Sequence, residues 1–166
     1  MIIGLKLRGV DVEVMTNADC RYAQRMREVG ITVHDYVPAR KFSLHASRIF
    51  CTVLQAGQHD VIHLFKNKAI VNGIFASLGL PVAVVTYRGQ TDNISRFDPT
   101  CYLTHLSPRV DKIVCVSDAV RNSLATEIRH PDKLRTIYKG HDISWYRDVA
   151  PTLRGITAVP ASEVIN

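Results

Sequence analysis

The sequence holds no apolar run that approaches the ~18 residues a membrane-spanning helix needs. It has no GxGxxG and no phosphate-binding P-loop motif, which removes the commonest nucleotide-binding signatures. It has no zinc-finger spacing and no interleaving of basic and aromatic residues, so nucleic acid is not an expected partner. Its four cysteines, Cys20, Cys51, Cys101 and Cys115, lie too far apart for a CxxC pair or a zinc knuckle. They read as reduced structural thiols, and no metal site is expected. The opening Met1-Ile2-Ile3-Gly4-Leu5-Lys6-Leu7-Arg8 has too short an apolar stretch for a signal peptide, and no small-residue cleavage site follows. A cytoplasmic location is the expectation. Repeats and low-complexity segments are absent as well.

What is present suits one globular domain. The chain has 166 residues, 46% hydrophobic and 22% charged, enough for a single core and too apolar for disorder. The net charge of +6 favours anionic partners such as phosphates, nucleotide sugars or an acidic membrane surface, and it also serves plain solubility.

Strand and helix patterns alternate along the chain. Val10 to Val14 alternates as a half-buried strand. A helix follows from Ala18 to Val29, with Ala18, Tyr22, Met26 and Val29 on its apolar face and Gly30 as its stop. Ile31 to Val37 is the next strand. Ser43 caps a helix whose core face is Ala46, Ile49, Phe50, Val53 and Leu54. Val61 to Phe65 is a short apolar run of the kind buried in parallel sheets, which makes His63 a core histidine. Ala69 to Leu78 reads as helix and Val82 to Tyr87 as strand. Asp98-Pro99 starts a further helix that turns Tyr102, Leu103 and Leu106 to the core. Lys112 to Val116 is a strand, Ser117 caps a helix carrying Val120, Leu124 and Ile128, and Leu134 to Tyr138 is the last strand. Lys139 to Asp142 turns out of it. Pro151, Gly155 and Pro160 mark a linker.

Such alternation with short connections predicts an α/β fold, a Rossmann-like parallel sheet with helices on both faces. In an open sheet of this kind, ligands bind beyond the carboxyl ends of the strands. That rule selects Lys66-Asn67, Arg88-Gly89 and Ser117-Asp118 as candidate acceptor- or phosphate-binding residues. Lys66 and Arg88 share one rim if their strands are neighbours. Gly89 lets a ligand approach the backbone. Ser117 is first a helix cap and second a contact for an anion at a helix N-terminus. The stretch from Pro38 to Phe50 mixes Arg40, Lys41 and Arg48 with bulky apolar residues, a composition suited to an anionic membrane surface. The simpler reading is a domain helix with a basic solvent face, because Ala46, Ile49, Phe50 and Val53 are needed for the core.

The ordered set of motifs resembles the N-terminal, acceptor-side domain of family 4 glycosyltransferases. Leu5 to Thr16 is similar to the end of the family's first helix and its second strand. Asp60-Val61-Ile62-His63 resembles its D-(I/V)-(I/V)-H strand. Pro81 to Gly89 resembles the strand and loop facing the acceptor. Asp111 to Val120 resembles D-x-I-x-x-V-S-x-A, and Ile137 to Asp142 resembles I-x-N-G-V-D.

The resemblance implies one half of a GT-B enzyme: a Rossmann-like domain over residues 1–144, then an interdomain linker or the start of a donor domain over 145–166. It implies retaining transfer, without metal, from a nucleotide-sugar donor to a glycan, lipid or other glycoconjugate acceptor. The donor would be held mainly by a C-terminal domain. The family's usual histidine after the strand ending at Tyr87 is replaced here by Arg88, which cannot act as a general base near pH 7. The family's first strand, central in the order 3-2-1-4-5-6, has no counterpart here, which should leave two inner strands without a neighbour at ~1–3 kcal/mol for each unpaired buried group. An isolated acceptor half is expected to be inactive. The alternative expectation is a non-catalytic binding module that pairs with a separate donor-domain subunit, with peripheral contact at the inner face of an anionic membrane in either case.

Overall fold

A computed structural model describes residues 2–91, 94–138 and 140. The turn expected at Lys139 to Asp142 falls almost wholly outside these residues, and the linker expected over 145–166 does so entirely.

The elements follow the expected alternation. A short helix α1 (Ile2–Lys6) precedes β1 (Glu13–Thr16), α2 (Arg21–Glu28) and β2 (Thr32–Asp35). Then come α3 (Leu44–Ala56), β3 (Val61–Leu64), α4 (Asn67–Ala76) and β4 (Ala83–Arg88). A 3-10 turn over Pro99–Leu103 leads to β5 (Lys112–Cys115), α5 (Asp118–Ala125) and β6 (Leu134–Thr136). Every strand pair is parallel.

The strands form two sheets among the described residues. One is β1-β2, and the other has the order β3-β4-β5-β6. β1 and β3 each lack a partner on one side, and these are the inner edges that the resemblance leaves open. The two sheets still touch at one end. The Glu13 carboxylate lies 3.6 Å from the His59 ring, just ahead of β3.

The main core lies on one face of the four-stranded sheet. Val84, Ile113, Cys115 and Leu134 are closed off from solvent there by Ile70 and Ile74 of α4, Phe50 and Leu54 of α3, and Val120 and Leu124 of α5. Burying an aliphatic side chain of this size stabilises the fold by roughly 1.5–3 kcal/mol. Gly73 permits close packing of α4 on β3, because a Cβ there would lie 2.6 Å from the Leu64 side chain.

Three caps behave as the residue types require. Ser43 accepts from the Ala46 N–H, Asp98 from the Thr100 N–H, and Ser117 from the Val120 N–H.

Four expectations need correction. Tyr22 is 67% exposed, and α2 turns Ala23 and Met26 inward instead. A helical face is set by what the helix packs on, and here the partner is β2. The Asp98-Pro99 start yields only a 3-10 turn, so Cys101 is buried while Tyr102 and Leu103 stay exposed. The tighter three-residue period moves the inward position by one residue. The β1 strand begins three residues later than the alternation suggested. His63 is exposed on the uncovered face of β3, beside the Phe65 ring at 4.3 Å, and is not a core histidine. Its face of the strand carries Val61, which is 54% exposed.

Candidate functional site

Register places the candidates on one rim. Leu64 pairs with Thr86, and Arg88 pairs with Cys115. Lys66 and Ser117 therefore follow the ends of β3 and β5, and Arg88 is the last residue of β4 between them, so all three lie at the same end of adjacent strands. Two helix N-termini open on this rim, those of α4 with Lys66 at its N-cap and α5 with Ser117 at its N-cap. Both direct first-turn backbone N–H groups and the positive end of a helix dipole toward it.

The side chains differ in how far they serve that rim. Lys66 and Asn67 are exposed, and neither caps α4 with its side chain. Arg88 is only 8% exposed. It lies on the buried face of β4 and its Nε donates to the Gln90 carbonyl at 2.8 Å, shaping the loop that follows the strand. The displayed charge expected of Arg88 is thus turned inward. Gly89 is exposed, its φ is not positive, and a Cβ there would make an ordinary 3.5 Å contact with the Tyr87 ring. A larger residue would fit there, so Gly89 is not dictated by strain. The Asp118 carboxylate accepts from Thr136 Oγ1 and Tyr138 Oη, both at 2.6 Å. These two bonds hold its pKa below the ordinary carboxylate value, and the same contact pushes the Tyr138 phenol up.

One buried group was not foreseen. His105 is 3% exposed, and its Nδ1 lies 2.9 Å from Oγ1 of the fully buried Thr86. Burial first, and the Arg88 charge second, push its pKa down to about 4. A neutral imidazole therefore sits beneath the Arg88 rim. No local signal marks it, because its partner is 19 residues away.

A concavity lies at the other end of the sheet. It has a volume of about 560 Å³ and is lined by Asp60, Pro81, Arg109 and Asp111 among others. The Arg109 guanidinium there is fully occupied, donating to the carbonyls of Ser77, Leu80 and Val82 and to the Asp111 carboxylate. Asp111 also accepts from the Val84 N–H at 2.7 Å. These groups tie the amino ends of the strands together, so the concavity is a structural clamp and the carboxyl rim is the candidate site. Among the described residues, no three His, Cys, Asp or Glu side chains are grouped to hold a metal ion.

Parallel strands flanked by helices, with a polar rim beyond the strand ends, define a Rossmann-like α/β domain. The family model of Glycosyltransferase Family 4 matches residues 1–145, and the chain belongs to that family. Solved structures show the same fold. A glycosyltransferase from Rickettsia africae ESF-5 is 14% identical with a TM-score of 0.69, over 90% of this chain and 41% of that one. Anabaena HepE in complex with UDP and glucose is 21% identical with a TM-score of 0.62, over 87% of this chain and 41% of that one. HepE in complex with UDP-glucose gives a TM-score of 0.65 at 18% identity, over 87% of this chain and 40% of that one. The chain thus spans about two fifths of the length of these structures. No curated protein sequence matches it.

Proposed function

We propose that this chain forms the acceptor side of a retaining glycosyltransferase that uses a nucleotide-sugar donor. The observation that carries the reading is the family match over residues 1–145, which includes every element that builds the rim. In such a transfer the bond from the anomeric carbon to the nucleotide phosphate breaks. A bond from that carbon to an acceptor oxygen forms, and the acceptor's proton departs with the leaving phosphate or a base.

The rim suits the binding part of this task. Lys66 and the N-termini of α4 and α5 offer positive potential to an acceptor phosphate or carboxylate. Arg88, held inward over the neutral His105, fixes the loop through Gln90 and so positions Gly89. Arg88 stays protonated and takes no proton. HepE binds UDP-glucose, and a nucleoside-diphosphate sugar is the donor we propose for this chain's enzyme.

The test is an amide NMR titration of the purified chain with inorganic phosphate, an oligosaccharide panel and UDP-glucose. Phosphate or an oligosaccharide should shift the amides of Lys66, Gly89 and Ser117, whereas UDP-glucose should bind weakly and not turn over. Shifts confined to the Asp60 and Asp111 end, or sugar transfer by the chain alone, would overturn the proposal.

A further inference from the structure

Charge is unevenly spread along the chain. Residues 36–91 contain six Lys and Arg but a single carboxylate, Asp60. The remainder is nearly balanced, with 15 basic and 14 acidic residues. Neither α3 nor α4 carries an acidic residue.

The structure puts part of this basic stretch on a rigid apolar loop. Asn72 of α4 is fully buried, and its side chain holds the loop before α3. Its Nδ2 donates to the carbonyls of Arg40 and Lys41 at 3.3 and 3.1 Å, and its Oδ1 accepts from the Ser43 N–H at 2.9 Å. Lys68 Nζ adds a bond to the Ala39 carbonyl at 2.7 Å. Here Phe42 is 48% exposed and Leu44 is 66% exposed. Phe75 of α4 is also exposed and meets Phe42 edge-on at 4.8 Å. Arg40 and Lys41 directly before Phe42, and Arg48 one helical turn after Leu44, are exposed as well. The core face of α3 is Ala46, Phe50 and Leu54, so the outward Phe42 and Leu44 are not needed for the core.

We propose that this loop, with the exposed flank of α3 and α4, docks the protein on an anionic lipid bilayer. Phe42, Leu44 and Phe75 enter the interface, and Arg40, Lys41 and Arg48 meet lipid phosphates. Apolar side chains ringed by cations are what peripheral binding requires, since the two contributions add. Charge complementarity selects the occupant: a neutral apolar partner would leave the three cations unmatched. One carboxylate, Asp98, lies within reach of Lys41 and weakens the patch slightly. Its loop also brings Phe97, which is 82% exposed, and Arg96 over that ring at 5.1 Å. Because Lys68 lies in the first turn of α4, docking would hold the carboxyl rim close to the membrane surface. The inference stands apart from the transferase reading, as vesicle binding is measured without sugar.

The test is co-sedimentation of the 166-residue chain with vesicles of pure phosphatidylcholine and of phosphatidylcholine with phosphatidylglycerol. Binding should be at least about tenfold stronger on the anionic vesicles and should fall steeply with salt. The variant R40S/K41S should lose about fivefold in partition coefficient per charge removed. The variant F42S/L44S should lose about tenfold with its charge unchanged. Circular dichroism confirms that each variant is folded. If one is not, the salt titration of the wild type decides. Equal binding to both vesicle types, binding indifferent to salt, or folded variants that bind like wild type would overturn the proposal. Salt-sensitive capture by an acidic protein without vesicle binding would overturn it too, in favour of a protein partner.

Discussion

The two sheets of this domain use the same βαβ grammar with unequal results. In the four-stranded sheet, β4 alternates half-buried and buried residues along its whole length, and β5 buries Ile113 and Cys115 completely. In the two-stranded sheet, all four residues of β1 are half-buried and β2 buries none. Among the described residues only Met15 and Tyr36 from that region reach the main core, while Ala23, Met26 and Ile31 are buried outside it. The difference lies in the neighbours more than in the residues. β4 and β5 are paired on both sides, whereas β1 and β2 have only each other. A strand with one partner and one covered face keeps water at its other edge.

The largest effect that would test this contrast comes from matched truncations. Ile113 is fully buried in the main core, and Val14 is half-buried in β1. Ile113→Ala should cost about 4 kcal/mol in urea unfolding. Val14→Ala should cost about 1 kcal/mol. Comparable costs at the two positions would show that the β1-β2 sheet shares the main core after all. Hydrogen exchange should follow the same order, with β1 and β2 amides exchanging through local opening well before those of β4 and β5.

The contrast also explains which features could be read before the fold was known. The αβ alternation, the caps at Ser43, Asp98 and Ser117, and the rim at Lys66, Arg88 and Ser117 all follow from local chemistry plus one rule about parallel sheets. What escaped depends on packing between distant segments. Tyr22 has the right spacing for a core face, but only the position of β2 decides which face is covered. Arg88 stands after an apolar strand like a displayed charge, yet β4 alternates and Arg88 falls on its buried side. Nothing near His105 announces that Thr86 will be its partner. The basic and apolar mix from Pro38 to Phe50 was legible, but Asn72's role in presenting Phe42 was not, since its bonds span about 30 residues.

A second measurement sharpens the comparison through pH. His105 belongs to the four-stranded unit, and its native pKa lies near 4 against 6.5 for a free histidine. Between those values the unfolded chain binds a proton that the native protein refuses. The stabilisation is complete above pH 6.5, declines as pH falls, and is fully lost below about pH 4. The shift corresponds to about 3 kcal/mol. His105→Asn keeps a polar partner for Thr86 but does not titrate. Its stability should therefore fall less steeply than wild type between pH 6.5 and 4, and parallel curves would refute the assignment. Exchange of β1 and β2 amides should respond little to this variant if the two sheets open separately.

The smallest effect concerns the contact between the two sheets. Glu13 of β1 lies 2.6 Å from the His34 ring of β2 and 3.6 Å from the His59 ring ahead of β3. The first contact is internal to the weaker sheet, and the second joins it to the stronger one. All three side chains keep contact with water, so screening holds each pair to about 1 kcal/mol or less. A double-mutant cycle with Glu13→Gln and His59→Gln isolates the joining term. A coupling of a few tenths of a kcal/mol would mean that the sheets are held mainly by Met15 and Tyr36 against the core. A coupling above about 2 kcal/mol would give Glu13 the role of a true fastener. In that case the β1-β2 sheet would unfold together with β3 to β6, and the early exchange expected for its amides would disappear.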